Sequence, residues 1–584
     1  MENNGDLELN CHATGDTRLD KAICQWITWD KNPRTRAQIE ALLQDGHVEE
    51  LRRRLLSRMT FGTAGLRAAM GAGFALINDL TIIQSTQGMY KFLARSFPDF
   101  GSRGVVVGFD TRAQEASGCN SERYWLGAAA GVMVTASHNP KEDNGYKVYW
   151  HNGAQISSPN DKEILKFIEE SLEPWSESWD ESLSDSSPLR RDPLREICHA
   201  YMEDLNSVCF HRELNTKSPL KFVHSSFHGV GHNYVQQAFR AFGFSPPIPV
   251  PEQKDPDPNF PTVSCPNPEE GESVLELSLR LAERENAKIV LATDPDADRL
   301  AVAEHSDQCV WKVFTGNELA ALLGWWMLFN WKETHPCQAD MGRVYMLATT
   351  VSSKILKAFA QIEGFHFEET LPGFKWIGKK IHELAKTGNE VIFAFEESIG
   401  FLCGSMVPDK DGVSAAVVVA EMASYLYNKN QTLHQQLQNI FEVYGYHIST
   451  TSYVICKEPL TVKRIFTRIR NFEDENTYPK SSGGHRIMHV RDVTTGYDSS
   501  QPDNRCVLPV TKSSQMITFT LQNGIVATLR TSGTEPKIKF YTEFCAPPGK
   551  SDISSLEEEL KKVTNALVEE FLEPDKNNLI RRST

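Results

Sequence analysis

Three carboxylates stand at alternate positions in Asp294-Pro295-Asp296-Ala297-Asp298-Arg299. Carboxylates at i, i+2 and i+4 of a tight turn can converge on one hard cation, because Mg²⁺ and Ca²⁺ take oxygen ligands. The turn follows the apolar run Lys288–Thr293, and α/β sheets bind ligands beyond the carboxyl ends of their strands. The plainer reading is a solvated acidic turn. Asp255-Pro256-Asp257-Pro258 has similar spacing, but no strand precedes it, and it reads as an ordinary acidic loop.

Thr135-Ala136-Ser137-His138-Asn139-Pro140 also follows an apolar run. A serine on such a turn is either an exposed nucleophile or a turn and capping residue before a proline stop. The adjacent His138 offers weak support for a hydrolase pair, because neighbouring side chains rarely face each other. Arg530-Thr531-Ser532-Gly533-Thr534-Glu535-Pro536-Lys537 combines hydroxyls, a glycine amide and an arginine, a set that can cradle a dianionic phosphate. Phe61-Gly62-Thr63-Ala64-Gly65-Leu66-Arg67 is a second glycine-containing loop ending in arginine. Phe395-Glu396-Glu397-Ser398-Ile399-Gly400 could bind sugar hydroxyls or be a plain polar loop. Lys410, between Asp409 and Asp411, is either a phosphate or acid/base lysine or a solvated one.

The elements that must position these residues follow an α/β rhythm. Strands are expected at 104–109, 131–136, 220–224, 288–293, 344–348 and 391–395, continuously apolar as parallel strands covered on both faces are. Helical patterns lie between several of them. Residues 173–193 and the proline-rich 246–270 read as surface connectors. Near the C-terminus, runs at 516–521 and 525–529 flank Asn523-Gly524, a hairpin signal, and 537–544 offers a third strand. Leu556, Leu560, Val563, Leu567 and Phe571 then mark one face of a helix.

Composition bounds the rest. The chain has 584 residues, enough for about four domains. A net charge of −15 argues against a general polyanion or anionic-membrane binder. The longest apolar run, Leu319–Phe329, is too short to span a bilayer and reads as a core helix. No secretory signal is visible, and the 12 scattered cysteines read as reduced thiols of a cytosolic protein.

In this order GTAGLR, TASHNP with Asn144–Lys147, DPDADR, FEESIG and RTSGTEP resemble the α-D-phosphohexomutase superfamily, and finer segments such as VPEQKDPDP, ETLPGFKWIG and RDVTTGYDSSQP resemble its phosphoglucomutase-2 branch. The resemblance implies three related α/β domains and a smaller C-terminal α+β domain around a central cleft, with divisions at 1–207, 208–325, 326–450 and 451–584. It implies Ser137 as phosphoryl carrier; Asp294, Asp296 and Asp298, with an oxygen of phosphorylated Ser137, as Mg²⁺ ligands; and Arg67 and Arg299 as neutralising cations. Glu396 and Ser398 would hold sugar hydroxyls, and Arg530, Ser532, Gly533 and Thr534 the non-reacting phosphate. Lys147 and Lys410 are the acid/base candidates. The implied substrates are sugar phosphates such as glucose 1-phosphate. The finer resemblance favours a bisphosphate-forming enzyme that recharges Ser137 from 1,3-bisphosphoglycerate to make glucose 1,6-bisphosphate; the alternative is a mutase that isomerises hexose or pentose phosphates.

Two departures stand out. Lys539 replaces a usual arginine, keeping charge but losing a fork. Only 25 positions separate Arg112 from Ser137, so the first domain is expected to lack one strand and one helix. A non-catalytic sugar-phosphate binder is the reading that this gap leaves open.

Overall fold

The computed structural model describes residues 14–62, 65–112, 128–305, 310–336, 341–512, 514–532, 536–549 and 552–582. Four sheets succeed one another along the chain. The first runs, in spatial order, Leu66–Ala69, Asp143–Trp150, Ala130–Val134, Val105–Phe109. The second runs Ile248–Pro249, Phe222–Ser225, Ile289–Thr293, Leu300–His305, Trp311–Val313. The third runs His366–Thr370, Val344–Thr349, Glu390–Glu396, Gly400–Cys403.

All six expected strands are present, and they pair in parallel two by two within these sheets. The connection after the second strand of each pair is not the one expected from sequence. In every sheet the chain turns directly back into an antiparallel neighbour: Ala130–Val134 against Asp143–Trp150, Ile289–Thr293 against Leu300–His305, and Glu390–Glu396 against Gly400–Cys403. The chemistry-bearing loops are these three turns.

Helices cover the sheets. Gly316–Thr334 begins in a reciprocal capping box between Thr315 and Glu318 and is buried on nearly all sides, which explains its long apolar run. No helix among the described residues is long and apolar enough to cross a membrane. The fourth sheet is antiparallel, with Met516–Leu521, Ile525–Thr531, Lys537–Cys545 and His447–Ile455 side by side. The helix Ile553–Leu567 buries Leu556, Leu560, Val563 and Leu567. The expected divisions at 325/326 and 450/451 fall inside the helix Gly316–Thr334 and the strand His447–Ile455; the sheets themselves change over between 313 and 344 and between 403 and 447. Seven described cysteines form no disulfide, whereas Cys24 is disulfide-bonded, contrary to the all-reduced expectation.

Candidate active site

Each turn holds one non-glycine residue in the left-handed region: Ser137 at φ 54°, Ala297 at φ 57° and Ile399 at φ 51°. Such conformations cost about 1 kcal/mol or more and persist where surroundings over-determine them. Here the surroundings are the other turns. Leu300 donates its N–H to Ile399 O, and Gly412 donates to Ala297 O, both at 3.0 Å. A Cβ at Gly412 would lie 2.3 Å from Arg299 O, and one at Gly316 2.0 Å from Glu397 O, so both positions exclude a side chain.

The Ser137 hydroxyl donates to Asp294 Oδ2 at 2.6 Å and lies 3.2 Å from His138 Nδ1. The adjacent histidine therefore does face the serine, because the left-handed turn at Ser137 folds the two side chains together. Burial, and then the cations Arg299 and Arg67, push the His138 imidazole well below its ordinary pKa, so it is neutral. Ligand-capable oxygens of Asp294, Asp296 and Asp298 lie within 4.8 Å of one another, all three residues buried. Burial and the charges of Asp296 and Asp298 hold the Asp294 carboxyl well above the usual range. Three buried acidic oxygens at this spacing suit a hard divalent cation, so the donor set fits Mg²⁺. Among the described residues this is the one such group; the Asp255–Pro258 stretch is not part of any.

Basic groups surround the triad. Lys147 Nζ reaches Asp296 Oδ2 at 2.7 Å and Asp298 Oδ2 at 3.2 Å, and Lys410 Nζ reaches Asp298 Oδ2 at 3.0 Å. Arg67 is partly buried and donates Nη1 to Asn139 Oδ1 at 3.0 Å; desolvation lowers its pKa. Arg299 Nη1 donates to the Ser398 carbonyl at 2.9 Å, so Ser398 enters this network through its backbone. Glu396 ends its strand near Lys410 and Arg299; burial raises its carboxyl despite both cations.

The fourth sheet closes the cleft. Buried Tyr541 feels the charges of Arg530 from its own sheet and of Glu397, Glu269 and Glu396 from the others. Ser532 N donates to Lys537 O at 2.9 Å. Gly533 and Thr534 lie outside the described residues.

Sequence reasoning missed what builds the Ser137 turn. Arg112 is fully buried and donates to four carbonyls: Ser137 O at 2.5 Å, Asn139 O and Pro140 O at 2.7 Å, and Asp143 O at 3.0 Å. Asp110 stands 3.4 Å from Arg112 Nε and accepts from Thr135 Oγ1 at 2.6 Å, and Thr135 Oγ1 in turn accepts from Ser137 N at 2.7 Å. The signal was available: Asp110-Thr111-Arg112 ends a strand as the other loops do. The proline-rich connector is also more than a surface loop. Its end approaches the site, with the Cys265 thiol donating to His138 O at 3.6 Å and Glu269 lying 3.8 Å from Arg299.

Comparisons with known proteins agree with this architecture. Family models for phosphoglucomutase/phosphomannomutase α/β/α domains I, II and III match residues 120–174, 199–307 and 315–444. A human protein named glucose 1,6-bisphosphate synthase is 66% identical over 615 aligned positions, covering 99% of each chain. Against 584 residues, that alignment leaves at least 31 positions of the relative without a counterpart here. A human phosphopentomutase is 54% identical, covering 97% of each chain. The open form of pp63/parafusin, a phosphoglucomutase from Paramecium, shares the fold at 17% identity, covering 89% of this chain and 96% of its own, with a TM-score of 0.60. Mixed sheets, shared turns and full-length relatives agree: this chain belongs to the phosphoglucomutase/phosphomannomutase family of enzymes.

Proposed function

We propose that this enzyme is a Mg²⁺-dependent phosphosugar phosphotransferase that makes glucose 1,6-bisphosphate from glucose 1-phosphate or 6-phosphate, with Ser137 carrying the phosphoryl group and 1,3-bisphosphoglycerate as donor. The observation that carries the reading is the approach of the Ser137 hydroxyl to the carboxylate triad, between Arg67 and Arg299. The name of the human relative supports the substrate.

Phosphoryl transfer needs in-line positioning and charge neutralisation more than covalent ingenuity. In the first step Ser137 Oγ attacks the acyl phosphate; the Oγ–P bond forms and the donor's carboxylate leaves. The hydroxyl proton has two acceptors within reach, Asp294 Oδ2 and His138 Nδ1. In the second step a sugar hydroxyl attacks the phosphoserine; its O–P bond forms, the Ser137 Oγ–P bond breaks, and the hydroxyl proton replaces the one that Ser137 lost. Lys147 and Lys410 are the acid/base candidates for that transfer, a reading supported by their ion pairs with the triad. Asp294, Asp296, Asp298 and an oxygen of phosphorylated Ser137 would hold Mg²⁺, which supplies positive charge to the transferring group. Arg67 and Arg299 neutralise the same group. Arg530, Ser532, Gly533 and Thr534 grip the distant phosphate, and Glu396 and Ser398 orient the ring between. A cytosolic setting belongs to the same reading; the seven described cysteines without a disulfide favour it and the disulfide-bonded Cys24 runs against it.

Incubation with 1,3-bisphosphoglycerate, glucose 1-phosphate and Mg²⁺ tests the proposal. Wild type should form glucose 1,6-bisphosphate and Ser137→Ala should not; equal rates would refute the serine assignment. The 54% identical phosphopentomutase favours a second reading, a mutase. Interconversion of glucose or ribose phosphates faster than bisphosphate synthesis would select it. Saturable sugar-phosphate binding with no Mg²⁺-dependent turnover would select a non-catalytic binder.

A further inference from the structure

The proline-rich connector delivers Glu269 into the cleft, and neither phosphoryl-transfer step uses it. Its backbone is pinned. Asn267 Oδ1 accepts from Glu269 N at 3.2 Å, Asn267 N donates to Cys265 O at 2.8 Å, and Glu270 N donates to Asn267 O at 3.1 Å. Pro268 is buried in the same short 3₁₀ turn.

The Glu269 side chain remains 37% exposed, with Oε2 3.8 Å from Arg299 Nη1. That nitrogen also donates to Ser398 O at 2.9 Å, so one guanidinium group spans the connector and the loop expected to hold the sugar. Glu397, Lys539 and Glu270 are the other charged groups that Glu269 feels. Among the described residues, no hydrogen bond to a Glu269 carboxylate oxygen is made, and 3.8 Å exceeds hydrogen-bond range.

An open carboxylate in a cleft that must accept two phosphates opposes both anions. It is tolerable there if it accepts hydrogen bonds from neutral donors lying between them. In a sugar bisphosphate those donors are the ring hydroxyls, and the ring lies between the Ser137 end and the Arg530 end. Resting on the phosphosugar reading, we infer that Glu269 is a substrate-contacting residue, a sugar-hydroxyl acceptor contributed by the connector and acting beside Glu396 and Ser398. Its neighbour Glu270 points away and pairs with Arg582 at 3.0 Å on the surface, which makes it an internal control.

The test is the binding and turnover of glucose 1-phosphate and its 2-, 3- and 4-deoxy analogues by wild type, Glu269→Ala, Glu269→Gln and Glu270→Gln. A hydrogen bond to a charged group contributes about 1.5–3 kcal/mol, or about 10- to 150-fold. Wild type and Glu270→Gln should discriminate against one deoxy analogue by such a factor. Glu269→Ala should lose affinity for glucose 1-phosphate yet bind that one analogue almost as wild type does. Glu269→Gln, which keeps an acceptor oxygen, should fall between. Undiminished discrimination in Glu269→Ala, or an equal loss for all four sugars, would overturn the inference. Dissociation constants measured by calorimetry decide this even without turnover, so failure of the phosphosugar reading, visible as wild type that neither binds nor converts the sugar, is distinguishable.

Discussion

Ser137 Oγ lies 2.6 Å from Asp294 Oδ2 across 157 positions of sequence. The reactive hydroxyl is thereby registered on the carboxylate triad, and the two lysines paired with that triad compete with any cation that enters. Lys147→Met removes the ammonium group that bridges Asp296 and Asp298. It should tighten Mg²⁺ binding by about tenfold, the size of one pKa-scale electrostatic effect, while reducing turnover. Asp298→Asn should weaken Mg²⁺ binding and turnover together. Calorimetric titration with Mg²⁺ beside initial rates separates the two; weaker cation binding in Lys147→Met would sink the idea.

Arg112 carries the second prediction. Its fork ties four carbonyls of the Ser137 turn, and its removal strands them together with buried Asp110. Breaking a buried ion pair costs about 3–5 kcal/mol. Arg112→Ala should lose that much in urea unfolding and nearly all turnover. Arg112→Lys should recover little, because an ammonium group cannot reproduce the planar fork. Full activity in the lysine variant would show that charge alone holds the turn.

Glu369 sets an acid limit. Burial would raise its carboxyl, but Lys354 and Arg491, each 2.8 Å away, outweigh burial and hold it at about 2 against an ordinary 4.5. Arg491 belongs to the C-terminal sheet and Glu369 to the third, so the pair fastens one to the other. A depressed carboxylate pKa stabilises above the unfolded value and loses that contribution as pH falls through the folded one. Glu369→Gln should therefore cost about 3 kcal/mol at pH 7, a difference that shrinks below pH 4.5 and vanishes near pH 2. Unfolding measured across that range checks the slope; a constant difference would contradict it.

These couplings also show where the sequence is legible. Five of the six expected strands, Val105–Phe109 being the exception, and the helix Gly316–Thr334 are visible because burial on both faces writes itself as unbroken apolar runs. The turns are visible because carboxylates, glycines and hydroxyls concentrate there. The antiparallel returns are not: Leu300–His305 is as apolar as the strand it pairs with, so pattern alone gives no direction. Arg112 and Glu269 escape for another reason. Asp110–Arg112 ends a strand as the other loops do, but nothing local names the carbonyls that Arg112 ties, and nothing in the connector's sequence places Glu269 beside Arg299.

The edge of the first sheet supports the last prediction. Among the described residues Val105–Phe109 pairs on one side, with Ala130–Val134, and its Val105 and Val107 are 36% and 50% exposed. The human relative carries at least 31 further positions, and the short separation of Arg112 from Ser137 is where a strand and a helix are expected to be missing. Inserting the relative's segment there should cover the two valines. Fully burying a valine contributes about 1.5 kcal/mol or more, so the extended chain should unfold several degrees higher and turn over faster. Val107→Thr makes the cause specific. In the present chain it should cost under about 0.5 kcal/mol, as exposed substitutions do. In the extended chain, where it would place a hydroxyl against a packed neighbour, it should cost more than about 1 kcal/mol. Equal costs in the two chains would mean that the added segment does not pack on this edge.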